Sequence, residues 1–179
     1  MAKVRVRNTG ELIEGEENVR SFLAKQEVLY EHWNPAKLPE RLQENFNLSA
    51  EDKEEILKTF DSEIRDLASR RGYKTWDIVV LSESTPNIEE LLKKFEQIHT
   101  HTEDEVRAIT AGEGIFIIRG DESVGYFDVI LSAGDVISVP EGSVHFFTLT
   151  EAKKVVAVRL FIETEGWIAH PYEDPTFVK

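Results

Sequence analysis

The stretch HTHTEDEVRAITAGEG, residues 99–114, carries two histidines one residue apart and a glutamate four positions after the second. On a strand, side chains i and i+2 share a face, so His99 and His101 point the same way. Glu105 and Arg107 keep that parity if the strand resumes after a short turn over residues 102–104. Two imidazoles, a carboxylate and a guanidinium then converge on one side of a β-ribbon. Burying four such groups unpaired inside a barrel would be costly. A divalent metal resolves three of them, because it takes neutral imidazole and ionised carboxylate as ligands. A second segment, GDVISVPEGSVH (134–145), ends in a further imidazole, His145, which opens the strand-like FFTL. Gly134 and Gly142 permit tight turns there, and Pro140 fixes the chain before the corner.

The elements that must position these groups change character near residue 100. Before it, three helix-like segments are expected. The first covers about 16–26, with Val19, Phe22 and Leu23 on one face. The second covers about 50–71, with Ile56, Phe60, Ile64 and Leu67 in one stripe, Ser49 as N-cap and Gly72 as stop. The third opens with Thr85 as cap and Pro86 at the first helical position, and carries Ile88, Leu91, Leu92 and Phe95 on a face directed at a core. Strands are expected between them at VLYEHW (28–33) and TWDIVVL (75–81). After residue 100 the period is two. EVRAITA, GIFIIRG, GYFDVIL, DVISVP and VVAVRLFI are short β-rich runs parted by turn residues, with RGDES (119–123) as a hairpin turn. That rhythm reads as an antiparallel sandwich or barrel. One domain over 1–179 is expected: a helix-rich part over about 1–97, a β-barrel over about 98–170, and a tail at 171–179.

Composition narrows the function classes. Net charge is −13, from 21 basic and 34 acidic side chains, which opposes nucleic acid and anionic membranes as partners. Cysteine is absent, so thiolate sites, disulfides and cysteine nucleophiles are excluded. MAKVRVRNTGELIEGEEN has no apolar signal core, and the longest apolar runs fall far short of the roughly 20 residues that span a bilayer. A cytoplasmic location is expected. His32 and His170 match no motif and read as structural or exposed.

The two motifs resemble a known superfamily. His99, His101, Glu105 and Gly112 are similar to the first cupin motif, and Gly134, Pro140, Gly142 and His145 to the second. The match extends further: GYKTWDIVVLS (72–82), KKFEQ, HTHTEDEVR, DVISVPEGSVHFF, VRLF and EGWIA together resemble the acireductone dioxygenase family of methionine salvage, over about residues 65–170. The resemblance implies a mainly β fold, a cupin jelly-roll barrel with an N-terminal helical elaboration. It implies His99, His101, Glu105 and His145 as ligands of one Fe(II) or Ni(II), and a small-molecule acireductone and O2 as substrates. It implies Arg107 as the catalytic cation beside the substrate enediolate, and Phe95, Phe147, Arg159 and Trp167 as pocket residues for an apolar methylthio tail. Iron members make formate and a keto acid; nickel members make formate, carbon monoxide and a methylthio-carboxylate.

Several departures keep alternatives open. Ile98 stands where many members carry an acidic residue, Ala108 where an aromatic often follows the arginine, and Lys93 and Leu149 at non-ligand positions of the broad cupin motifs. The proton-accepting group is therefore open, with Asp104 directed away from the metal by parity. Another cupin reaction, on a different enediol or as a sugar isomerase, and a non-enzymatic metal- or small-ligand-binding module are the rival readings. Phe95 alone also suits core packing, and Arg107 also suits a carboxylate partner. Monomer and homodimer both fit.

Overall fold

A computed structural model describes residues 1–163 and 168–177. The period-two runs become strands: β4 (Thr75–Leu81), β7 (Tyr126–Ser132), β8 (Asp135–Val139), β9 (His145–Thr148) and β10 (Val155–Phe161). EVRAITA and GIFIIRG, expected as separate runs, form one strand of 15 residues, β6 (Glu105–Arg119). The reason lies at Gly112. Its φ is +75°, and a Cβ there would lie 2.2 Å from the Lys154 carbonyl oxygen. The glycine bends the strand and admits the neighbouring backbone without ending the ladder.

This bend makes β6 the hinge of the fold. Its first part pairs with β8 and β10, its last part with β7 and β9, all antiparallel. A strand that switches sheets in this way builds the corner of a sandwich. A register shift opposite Val156 and Ala157 moves the inward set from odd residues to even ones. Ile109 before the shift and Phe116 and Ile118 after it therefore share one core with Ile137, Val139, Ala157, Phe127 and Phe147.

The N-terminal half supplies strands as well as helices. β1 (Lys3–Val6) joins β7 and carries β2 (Leu12–Ile13) at its outer side; β3 (Leu29–His32) joins β8, and β4 joins β10. β1 and β2 were not anticipated from the sequence; four residues with two buried valines, Val4 and Val6, give too short an alternation to stand out. β5 (His99–Thr100) lies between β9 and the short β11 (His170–Pro171).

The helices cover two surfaces. α1 (Glu16–Lys25) buries Val19 and Leu23, and a 3-10 turn (Pro35–Lys37) leads to α2 (Glu40–Gln43). The segment expected as one helix over 50–71 is two, α3 (Ala50–Thr59) and α4 (Asp61–Arg71), hinged at Phe60. Thr59 donates its hydroxyl to the Glu55 carbonyl at 2.8 Å, a back-bond that bends helices, just before the break. The expected ends hold. Ser49 and Asp52 form a capping box, and Gly72 closes α4 in the left-handed region. Ile56, Phe60, Ile64 and Leu67 pack on the outer face of the sheet against Val106, Ala108, Val136, Val158 and Leu160. α5 (Ile88–Glu96) begins later than expected: Asn87 precedes it, and Thr85 accepts from the Ser82 amide in a turn instead of capping the helix. Its Ile88, Leu91 and Phe95 lean on the inner core at the barrel mouth. Among the described residues no helix is long and apolar enough to cross a membrane.

Candidate metal centre

His99 sits on β5 directly opposite His145 on β9, so strand pairing brings one residue of each motif together. His101 follows β5, and its carbonyl accepts the Gly142 amide at 2.9 Å, tying the second motif to the first. Glu105 opens β6 facing the same interior. The potential donor atoms of His99, His101, Glu105 and His145 all lie within 4.8 Å of one another, and all four side chains are buried. Ring centroids are 4.8 Å apart for His99 and His101, 4.6 Å for His99 and His145, and 5.3 Å for His101 and His145.

Each imidazole is oriented by a backbone carbonyl. Nδ1 of His99 lies 2.5 Å from the Gln97 oxygen, that of His145 2.8 Å from Ser143, and that of His101 3.1 Å from Ile168. A carbonyl accepts only, so each Nδ1 carries a proton and Nε2 is the ring atom left to face the centre. The Glu105 Oε2 oxygen meets Nε2 of His145 in a close contact and Nε2 of His101 at 3.6 Å. Four ligand-type atoms, three imidazole nitrogens and a carboxylate oxygen, are aimed at one point, and that donor set fits a divalent metal.

The electrostatics agree with that fit. Burial, then the neighbouring His145, pulls His99 down to about 4, which keeps its imidazole neutral. Burial pushes the Glu105 carboxyl up, but His145, His101 and Arg107 outweigh it and hold it well below the usual carboxylate range. The carboxylate is ionised.

Arg107 lies beside the quartet, 1% exposed. Its Nε and Nη2 both donate to Glu105 Oε1 at 3.3 Å. Its guanidinium carbon lies 4.8 Å from the Phe147 ring, 5.5 Å from Phe95 and 5.8 Å from Phe116, three phenyl groups around one cation. The sequence reading named Phe95 and Phe147 but missed Phe116, whose inward direction follows from the β6 register shift. Gly114 makes room for this box: a Cβ there would meet Phe147 Cζ at 2.6 Å. Arg159 stands across the ladder from Arg107 and on its face, but its guanidinium forms a two-pronged pair with Asp77, at 2.7 and 2.5 Å. Trp167 lies outside the described residues. Ile98 packs outward with Ile117, Tyr126 and Phe146. Asp104 is directed away, as parity required: it accepts from Tyr73 and from the Glu141 amide, at 2.7 and 3.1 Å.

Comparison with known proteins decides the family. The ARD/ARD' family model matches residues 4–169. The chain belongs to this family. An acireductone dioxygenase of Geobacillus thermodenitrificans (strain NG80-2) is 68% identical over 174 residues, 97% of each chain. That of Bacillus subtilis (strain 168) is 51% identical over 169 residues, 94% of each. A solved acireductone dioxygenase from Bacillus anthracis, with a cadmium ion in its active center, superimposes with a TM-score of 0.92 at 50% identity, covering 94% of this chain and 97% of that one. This ARD/ARD' family chain is therefore mainly β with the cupin fold, and an oxidoreductase of the dioxygenase class with a metal site.

Proposed function

We propose that His99, His101, Glu105 and His145 hold one Fe(II) or Ni(II) ion per chain, and that Arg107 and the rings around it bind the acireductone cleaved there. The reaction is the oxygenation of 1,2-dihydroxy-3-keto-5-methylthiopentene in methionine salvage. With iron the products are formate and 4-methylthio-2-oxobutanoate; with nickel they are formate, carbon monoxide and 3-methylthiopropanoate. The observation that carries the metal reading is the convergence of three carbonyl-oriented imidazoles and an ionised carboxylate on one buried point. The donor set suits iron, nickel, manganese or cobalt, so the product pattern has to discriminate.

When bound, the ion supplies Lewis acidity and a template for the two substrate oxygens and O2. The protein supplies the rest. Glu105 contributes one negative charge and leaves a net positive site for an enediolate. Arg107, fixed by Glu105 and boxed by phenyl rings, is a preorganised cation for the negative charge that develops on the substrate. Phe95 and Phe147 present apolar surface to the methylthio tail and exclude water. Arg159 is proposed to act from the rim, holding Asp77 and adding positive potential beside Arg107. Trp167 remains a pocket candidate on the resemblance alone.

The same reading takes residues 1–179 as one cupin domain, working in the cytoplasm as a monomer or homodimer on small molecules. Neither nucleic acid nor membrane is proposed as a partner, since the net charge of −13 opposes both. The test is aerobic loss of acireductone absorbance by iron-loaded protein, with carbon monoxide measured in the headspace of nickel-loaded protein. Metal-loaded protein that leaves acireductone untouched refutes the assignment.

A further inference from the structure

His99 and His145 take their orienting carbonyls from two residues upstream in their own loops, Gln97 and Ser143. His101 takes its carbonyl from Ile168, 67 residues away in sequence. That carbonyl belongs to a C-terminal segment that is exposed over most of its length, Ile168 at 56% and Tyr172 at 40%, and packs on a core cluster only through Phe177 at its end. Yet the segment is fastened at several points. β11 pairs with β5, His170 opposite Thr100 and Pro171 opposite His99, and the Tyr172 amide donates to the Ile98 carbonyl at 3.0 Å. Farther along, Tyr126 donates its hydroxyl to Asp174 at 2.7 Å, and Arg119 donates to the Tyr172 hydroxyl at 3.1 Å. Phe177 closes the row, with its ring 4.7 Å from Tyr126 and 5.3 Å from Phe146, beneath the Arg7 guanidinium at 5.2 Å.

A mostly exposed strand held this firmly is stabilising something other than its own burial. Between Ile168 and those anchors it runs along the β5 edge that carries His99, and it reaches the ring of His101. Groups that orient a ligand imidazole typically govern metal affinity by about 10–100-fold. We propose that residues 168–177 form a strap that positions the metal ligands, with the Ile168 carbonyl setting the tautomer and direction of His101 and with Tyr126, Asp174 and Phe177 as its anchors. This rests on the reading of the four residues as metal ligands. The anchors act through His101 and touch neither substrate nor ion, so they are positioning residues.

The test compares wild type with Tyr126→Phe, which removes one hydroxyl and keeps the ring, and with Phe177→Ala. Histidine-labelled protein is read by nitrogen NMR in the metal-free and Zn(II)-loaded forms, and Zn(II) release to a chelator is timed. In wild type the His101 signal should report an Nδ1–H tautomer. In Phe177→Ala it should move toward a mixture of tautomers in the metal-free chain, while His145, whose partner is Ser143, stays unchanged. Zn(II) release should be faster by about tenfold or more in Phe177→Ala, and by about fivefold in Tyr126→Phe, the effect of one hydrogen bond. Unchanged His101 signals in both variants overturn the strap, even if release quickens, because a merely stabilising tail would spare the tautomer. A wild type that binds no Zn(II) refutes the ligand reading instead, and the metal-free tautomers still judge the strap.

Discussion

Val106 and Ala108 face one side of β6, and Glu105 and Arg107 face the other; all four are at most 3% exposed. The first pair lies in one apolar cluster with Ile56 of α3 and Ile64 and Leu67 of α4. Burial accounts for it fully, at about 25 cal/mol for each Å² removed from water. The second pair points at three imidazoles and three phenyl rings. Burial works against it, because each charge must be desolvated and then compensated. Side chains one residue apart thus obey different rules. The outer face is selected for packing, and the inner face tolerates an unfavourable environment for the chemistry it permits.

Substitutions on the two faces should separate accordingly. The largest effect is expected from Glu105→Gln. It removes a proposed ligand and the carboxylate facing Arg107, so metal affinity should fall by more than about 100-fold. Urea unfolding of the metal-free chain should show a loss of about 3–5 kcal/mol, the scale for breaking a buried charge pair. Arg107→Met should fold and retain metal but lose about 10²–10³-fold in kcat, the scale for removing one preorganised donor. Steady-state kinetics on metal-replete protein checks this, and unchanged kcat would assign Arg107 to structure. On the outer face Ile64→Ala should cost about 2–5 kcal/mol in urea unfolding, while kcat of the folded protein stays at the wild-type value. A fall in kcat there would join the two faces functionally and blur the comparison. The smallest effect is expected at their junction. Gly114→Ala should displace the Phe147 ring at a cost of about 1–3 kcal/mol. It should lower kcat/KM for acireductone more than for an analogue lacking the methylthio tail.

The inner face was readable because its signal resides in side chains at period two: His99, His101, Glu105 and Arg107 share parity, and His145 follows a turn-rich segment that aligns it with His99. The outer face was readable as the stripe from Ile56 to Leu67, though not its break at Phe60, where the period of apolar residues runs on unchanged through two helices. Three kinds of feature escaped. Phe116 was hidden by the β6 register shift, which inverts parity without changing residue types. Gly112 read as a motif glycine and Gly114 as the start of a separate strand, whereas their lack of a side chain serves close approach by Lys154 and Phe147. The carbonyl that orients His101 was also invisible, because a backbone oxygen has no residue-type signature and its partner lies 67 positions away.

The central claim is that four inward side chains share one cation, and metal content tests it most directly. Elemental analysis of protein purified with iron or nickel should find one ion per wild-type chain. His145→Ala, prepared identically and shown to be folded, should retain roughly a tenth of that or less. Equal metal in the two proteins would contradict the account.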